Sequence, residues 1–559
     1  MRDFPGWIDV EGRSLFSWVA LPDGEQVRGA VVVATSFGRE AVPLVGLWRR
    51  LAEELANAGL MTVRVDYPGT GDSTGSLGDP LDVADWVSSL RGAVEWVREG
   101  GVPWVAVVGM RLGTAVVGEA LRAGLSIDRV VLWDPSTSGR HWIRENRALG
   151  MLHEASHHTE SRGGQNDEFP IPPSVGPVMS AWRTWREGDT RLPDLVLRRV
   201  DRPLDGPTEQ DWVQRGVRIV DAQGQTGLLE VDTMEMRLPM DSLGVVVDEL
   251  SSGVRGTHSW TWPPLRTTIE VANASSVRES VELVGERRLL VVETESAQNA
   301  NRDSPLVLFV TDGYHNHWGP ARTWVEMART FAAAGLRCAR FDFSGMVVNG
   351  EHGVEGLRIY LPEWREDIRQ VRNHLGVNSS RVVYVTFCSG AYDGLRSALE
   401  SGAGALFAIN PPVGLDSFPF VVDLVASPVP ALSSLGRRAR RLMLSFRWPW
   451  AWGWLVLQWL LPPSRRRNQL ADLAARGTTV KVISCDEDRT PFYDHERWSR
   501  VGTRRIDHPR GYSVRVIDGL DHSMRRIEAR RETMRELESF VVEITAPWLV
   551  STRAEESSE

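Results

Sequence analysis

Lysine is almost missing from this chain. Of its 64 basic residues only Lys481 is a lysine, so nearly all the positive charge is guanidinium. Positive charge is also outnumbered: 73 acidic residues leave a net charge of −9 and a pI near 5.8. That balance argues against a nucleic-acid-binding surface as the main business of the protein. Cysteine is scarce too. Cys338, Cys388 and Cys485 form no C-x-x-C pair, which excludes a disulfide framework and a zinc-finger pattern. No apolar run reaches the length needed to span a bilayer, and Met1 to Pro5 open no apolar segment of the secretory type. A reducing, cytoplasmic setting is expected.

What the chain does have is bulk. Its 559 residues, 42% hydrophobic and 25% charged, have the composition of a soluble globular protein. That length is too great for one ordinary core, so at least two domains are expected. From residue 28 onward the pattern alternates strand and helix. Val31-Val32-Val33-Ala34 enters a loop at Ser36-Phe37, and a helix near Leu47 to Ala58 ends at Gly59. Met61 to Asp66 is a strand, a helix is expected over about Asp82 to Glu99, and Val105 to Val108 leads into Gly109-Met110-Arg111-Leu112-Gly113. Val130 to Trp133 closes on Asp134-Pro135. Such alternation implies a mostly parallel sheet with right-handed crossovers.

The same order recurs downstream. Trp48 and Trp324, Gly59 and Gly335, Asp66 and Asp342, Asp134 and Asn410 are each 276 positions apart, and Arg111 and Cys388 are 277 apart. Landmarks at one offset on this scale point to a duplicated domain; a solenoid would repeat at far shorter spacing.

In the second copy the β-branched run Val382 to Val385 turns through Phe387-Cys388-Ser389-Gly390 into a helix-like stretch, Tyr392 to Leu399. A strand turning sharply into a helix around x-nucleophile-x-Gly has the geometry of a nucleophile elbow. A deprotonated thiol attacks acyl carbon, so the stretch suits acyl transfer. Asp66-Tyr67-Pro68-Gly69-Thr70-Gly71-Asp72-Ser73, the loops at Ser36-Phe37 and Asp312-Gly313, and the two elbows together resemble the α/β-hydrolase superfamily, over roughly residues 5–135 and 280–545. The arginine in the first elbow also resembles hydrolase-like proteins linked to bacterial exosortase and exopolysaccharide systems.

The resemblance implies an α/β fold: two tandem α/β-hydrolase-like domains, mostly parallel sheets flanked by helices, with helical cap insertions. The expected organisation is a degenerate domain with a lid insertion over 1–265, a linker over 266–280, a second domain over 281–550 with a Trp-rich cap at about 420–470, and a disordered tail over 551–559. It implies a triad in the order nucleophile, acid, histidine. Cys388 maps onto the nucleophile, Asp488 in Cys485-Asp486-Glu487-Asp488-Arg489-Thr490-Pro491 onto the acid, and His522 in Asp518-Gly519-Leu520-Asp521-His522 onto the histidine. Ser389 is the alternative nucleophile, but aligning Gly390 with Gly113 assigns its backbone N–H, with that of Tyr314, to the oxyanion hole. Arg111 cannot be a nucleophile, since guanidinium stays protonated. It either binds an anionic part of a ligand or pairs with Asp134 or Asp66 in a structural role, and the first domain is expected to be catalytically dead.

One stretch remains. Trp448, Trp452, Leu455 and Trp459 fall on one helical stripe, Trp450, Trp454, Leu457 and Leu461 on the opposite one, with Arg437 to Arg441 before and Arg465 to Arg467 after. A helix apolar on both sides is buried or in lipid. It reads either as a cap roofing an acyl pocket, with Trp448, Trp452 and Trp459 contacting substrate, or as a peripheral contact with a membrane surface.

The sequence thus implies a cysteine-nucleophile acyl hydrolase or acyltransferase, acting through its second domain on a small-molecule or carrier-bound ester or thioester with an apolar acyl group. It implies no metal, no organic cofactor and no nucleic-acid partner, and leaves the oligomeric state open. The rival reading is a non-catalytic pseudo-hydrolase that binds or scaffolds, at the membrane surface in glycan or lipid assembly.

Overall fold

The computed structural model describes the chain except residues 157–170, 203, 205, 232–235, 262–264, 272–276, 299–300, 347–359, 413–468, 486–510 and 557–559, and except the side chains of 150–156 and 551–556. Two compact units emerge among the described residues, one within 1–269 and the other within 270–556.

The first unit is built on an eight-stranded sheet: β1 (Arg2–Val10), β2 (Arg13–Leu21), β3 (Gly29–Ala34), β4 (Leu60–Val65), β5 (Val105–Arg111), β6 (Arg129–Pro135), β7 (Leu195–Arg199) and β8 (Arg218–Ala222), in the order β1-β2-β4-β3-β5-β6-β7-β8. β1 and β2 form an antiparallel hairpin, β2 meets β4 antiparallel, and the remaining neighbours run parallel. Every residue of β3, β4 and β5 is buried. That is why these strands read as unbroken apolar runs and show no alternation: helices cover both faces. Val31, Val33, Val108 and Trp133 pack on one side with Leu44, Leu47, Leu51 and Leu55 of the Ala41–Asn57 helix. Val32, Val107 and Leu132 pack on the other with Leu90, Val94 and Val97 of the Trp86–Glu99 helix.

The second unit repeats the plan: β9 (Thr268–Val271), β10 (Val277–Val284), β11 (Leu289–Ser296), β12 (Leu306–Val310), β13 (Arg337–Phe341), β14 (Val382–Phe387), β15 (Ala405–Ile409), β16 (Thr479–Ser484) and β17 (Tyr512–Val516), in the order β9-β10-β11-β13-β12-β14-β15-β16-β17. Apart from the edge strand β9, its strand order is that of the first sheet. The β10–β11 hairpin and the β11–β13 pair are antiparallel, and β13 through β17 are parallel. The fold is α/β, with two tandem α/β-hydrolase-like sheets.

Four expectations need adjusting. The lid insertion is shorter than expected, because β7 extends the first sheet through residues read as insertion. The stretch read as a linker, 266–280, contains β9 and the start of β10. The last helix, Ile527–Glu556, runs through most of the stretch expected to be a disordered tail. The expected helix over about Asp82 to Glu99 is two, Pro80–Ala84 and Trp86–Glu99, with Asp79 capping the first through Leu81 N. The Trp-rich cap, with Trp448, Trp452 and Trp459, and the proposed acid Asp488 lie outside the described residues.

Candidate active site

The elbow of the second unit forms where β14 passes directly into the Cys388–Ser401 helix. Cys388 sits at φ 47, a left-handed conformation that costs a non-glycine residue of order 1–3 kcal/mol and gathers at functional sites. Helix and strand must cross closely for this, and Gly390 permits it. A Cβ there would stand 2.0 Å from the Thr311 carbonyl oxygen. The first elbow is superimposable in plan: Arg111 has φ 53, and a Cβ on Gly113 would stand 2.0 Å from the Ala34 carbonyl oxygen.

Thr386 occupies the position that the first glycine fills in a G-x-S-x-G elbow. It is buried, and the helix makes room for it with another glycine. A Cβ on Gly394 would come within 2.5 Å of the Thr386 methyl. The first unit has the reverse arrangement, Gly109 in the strand facing Val117 in the helix, with 3.0 Å between Val117 and a Cβ built at position 109. Bulk has changed sides, and the crossing distance is kept.

Beside the elbow, Cys388 Sγ lies 3.0 Å from His522 Nε2. The two residues are 134 positions apart, and their approach depends on loops being held at the sheet's edge. Asn410, directly after β15 and itself at φ 47, does the holding. Its Nδ2 donates to the His522 carbonyl at 2.9 Å and its Oδ1 accepts the Cys485 amide at 2.8 Å. One buried side chain therefore ties His522 to Cys485, directly after β16. Cys388 is partly exposed, whereas Cys338 and Cys485 are buried. Burial also pushes the Cys338 thiol well above its usual range.

Ser389 is engaged with the neighbouring loop. Its Oγ, 2% exposed, accepts the Gly313 amide at 2.9 Å and so braces the neighbouring loop. Its own N–H lies in the first turn of the helix, where no intrahelical acceptor exists. The Tyr314 amide donates to Asp312 Oδ1 at 3.2 Å, the same oxygen that accepts the His315 amide at 2.7 Å. Asp312 is in turn held by His315 Nδ1 at 3.0 Å. A second buried pair, His317 Nδ1 to Asp342 Oδ2 at 2.7 Å, anchors the far end of that loop. In the first unit Asp66 instead serves the Gly-x-Gly loop, accepting the Asp72 amide at 3.4 Å. In the second unit the corresponding Asp342 is held by His317.

No protein-family model and no curated protein matches the sequence. Solved structures do. Est1E from Butyrivibrio proteoclasticus, solved with ferulic acid, is 15% identical over 44% of this chain and 96% of its own, with a TM-score of 0.31. A structure from work on carboxylesterases of Nitrososphaera gargenis is 14% identical over 48% of this chain and 99% of its own, TM-score 0.31. A proline iminopeptidase from Mycobacterium smegmatis is 16% identical over 44% and 97%, TM-score 0.32. At such low superposition the site has to be judged on its own geometry.

That geometry differs sharply between the elbows. Arg111, 3% exposed, donates from Nε to Glu40 at 3.0 Å and from a terminal nitrogen to Glu145 at 2.7 Å, and lies 3.6 Å from Asp134. Of the two carboxylates that sequence offered as partners, Asp134 is in this cluster. Burial alone would lower the Arg111 pKa, but Glu40, Asp134 and Glu145 outweigh it and the net movement is upward. Burial raises Asp134 to about 6 even though Arg111 and Arg199 pull it down. Glu40 also accepts Ser36 Oγ at 2.6 Å and Trp142 Nε1 at 2.8 Å. Trp142, which donates to Glu40, packs on Phe37, and Phe37 on Trp86, with Tyr67 stacked on Trp86 at 4.8 Å. Where the second elbow has a thiol beside a histidine, the first has a guanidinium among carboxylates.

Sequence reasoning missed two participants near Cys388: Asn410 and the Asp312–His315 pair. The one signal available was Asn410 at the offset of Asp134, which marked the position without its role. Among the described residues no group of His, Cys, Asp and Glu could hold a metal ion, and no helix is long and apolar enough to cross a membrane.

Proposed function

We propose that the second unit is a cysteine acyl hydrolase or acyltransferase acting on an ester or thioester. The observation that carries the reading is the 3.0 Å approach of Cys388 Sγ to His522 Nε2 at a left-handed strand-to-helix turn. His522 takes the thiol proton, and the helix N-terminus favours the resulting thiolate. The thiolate attacks the acyl carbon, the Ser389 and Tyr314 amides face the oxygen as it gains charge, and His522 returns the proton to the leaving group. Asp488 is the proposed orienter of His522. Trp448, Trp452 and Trp459 supply an apolar surface for the acyl chain.

We read the two units as products of a tandem duplication, supported by the common strand order and the 276-residue offset. In that reading the first unit is a pseudo-enzyme. Arg111 has three carboxylate partners and is nearly inaccessible, which favours a structural role over ligand binding.

The test is intact-mass analysis after incubation with activated acyl esters of several chain lengths. A single acyl adduct is expected, absent in Cys388→Ala and slow to form in His522→Gln. An adduct that persists in Cys388→Ala moves the nucleophile elsewhere. No adduct across the panel favours the binding-protein reading.

A further inference from the structure

The strand after each elbow ends on the same backbone conformation with a different side chain. Asp134, at the end of β6, has φ 46 and is 3% exposed; Asn410, directly after β15, has φ 47 and is 1% exposed. A left-handed non-glycine residue persists only where its surroundings over-determine it. In the first unit the carboxylate lies 3.6 Å from Arg111 and 3.8 Å from Arg199. In the second unit the amide is turned to backbone instead.

Every part of Asn410 is engaged there. Its backbone N–H donates to the Ile483 carbonyl of β16 at 2.8 Å. Its Nδ2 donates to the His522 carbonyl at 2.9 Å, with the Asp521 carbonyl 3.4 Å from the same nitrogen, and its Oδ1 accepts the Cys485 amide at 2.8 Å. Two carbonyl oxygens need donors and one N–H needs an acceptor, a demand that a neutral amide meets. An ionised carboxylate of the same shape has no proton to give and would set a charged oxygen against both carbonyls.

What the amide holds is His522. The loop between β17 and the last helix buries Leu520 and Met524, and Asp521 Oδ1 accepts the amides of Arg525 at 2.6 Å and Arg526 at 3.3 Å. Those contacts shape the turn; Asn410 ties the turn to the sheet that carries the elbow. From the residue held in this way, Nε2 comes to 3.0 Å from Cys388 Sγ.

We infer that Asn410 is a positioning residue of the Cys388 centre, and that the place requires its neutral amide: it holds the His522 backbone where Nε2 can take the thiol proton. This rests on the reading of Cys388 as nucleophile and His522 as base. A misplacement of about 1 Å can cost about 10² in rate even when its source lies away from the reacting atoms.

Asn410→Asp keeps the shape and removes the donor; Asn410→Ala removes both side-chain ties without adding charge, and stands in if the aspartate variant does not fold. The reaction to follow is alkylation of Cys388 by iodoacetamide from about pH 5 to about pH 9, located by peptide mass, since it reports the thiolate without any acyl transfer. His522→Gln should slow it near neutrality. Asn410→Asp should bring the rate toward that of His522→Gln, a loss on the order of 10²-fold, and the double variant should react no more slowly than His522→Gln alone, because a misplaced base and an absent one are the same loss. Alkylation of the Asn410 variants with the parent's rate and pH profile, and only a lower unfolding midpoint, makes Asn410 a structural tie and overturns the inference. Losses that multiply in the double variant overturn it too, since Asn410 would then act by a route that bypasses His522. A parent-like rate in His522→Gln removes the base, and both readings with it. If all variants behave as expected while no p-nitrophenyl ester acylates the parent, the acyl-transfer reading fails and the positioning role stands.

Discussion

Replacing Asp393 by asparagine should make the second unit more stable at neutral pH and leave it no more stable in acid. Asp393 lies five residues after Cys388 on the same helix, 2% exposed, and its Oδ2 has no hydrogen-bond partner among the described residues. Burial is the largest influence and raises its pKa; Arg396 and Arg365 pull it down, Asp367 and Glu400 push it up, and the outcome is about 7, against an ordinary 3.8. A carboxyl whose folded pKa exceeds its unfolded one holds its proton more tightly in the folded protein. Its favourable contribution is complete below the unfolded value and is lost as pH rises to the folded one. At about 1.36 kcal/mol per pH unit, the interval from 3.8 to about 7 amounts to about 4 kcal/mol lost by neutrality. Asparagine has the same shape and no charge to bury. Its amide needs partners of its own, a cost of about 1–3 kcal/mol that is the same at every pH. The informative quantity is therefore the pH dependence of the difference. Urea unfolding of parent and Asp393→Asn, followed by tryptophan fluorescence from about pH 5 to about pH 8, should show the variant gaining about 2–3 kcal/mol relative to the parent, with the gain complete near pH 7. A difference that stays flat across that range would refute the reasoning, because it would mean that Asp393 is already ionised in acid.

Two further outcomes follow from the elbows. Arg111→Ala should destabilise the first unit by about 3–5 kcal/mol, the usual cost of breaking a buried pair by removing one partner, seen as a lower unfolding midpoint, while Cys388 alkylation proceeds at the parent's rate. Gly394→Val in the second unit should cost about 1–3 kcal/mol by overpacking against Thr386, and adding Thr386→Gly should recover most of it in thermal unfolding. If the double variant is no better than the single, the exchange of bulk between strand and helix is not what keeps the elbow closed.

Much of the fold was legible because buried parallel strands are written as short apolar runs at a constant offset, so Val31 to Ala34 and Val307 to Val310 announce each other. β7 escaped notice for a local reason. Only Leu195, Val196 and Leu197 are apolar before Arg198 and Arg199, too little pattern to outweigh the polar sequence around them. Cys388 and His522 could be found because order along the chain constrains them. Asn410 could not be assigned its task, since it acts by hydrogen bonds to residues 75 and 112 positions away. The Asp312–His315 pair was hidden in a loop whose composition looks ordinary.

The cluster around Arg111 also makes the state of the first elbow hard to undo. A single change of Arg111 to cysteine or serine would place a nucleophile in the turn and at once strip the cation from Glu40, 4% exposed and still held by Trp142 Nε1. Asp134 and Glu145 would keep weaker company in Arg199 and Arg202, at 3.8 Å and 3.1 Å. Uncompensated charge at that depth is worth several kcal/mol, a sizeable part of what holds a domain together. Putting a nucleophile at this turn is therefore a step toward unfolding, and a stable exchange would demand that Glu40 change along with Arg111. The elbow works as a ratchet, its direction set by the carboxylates gathered around one guanidinium.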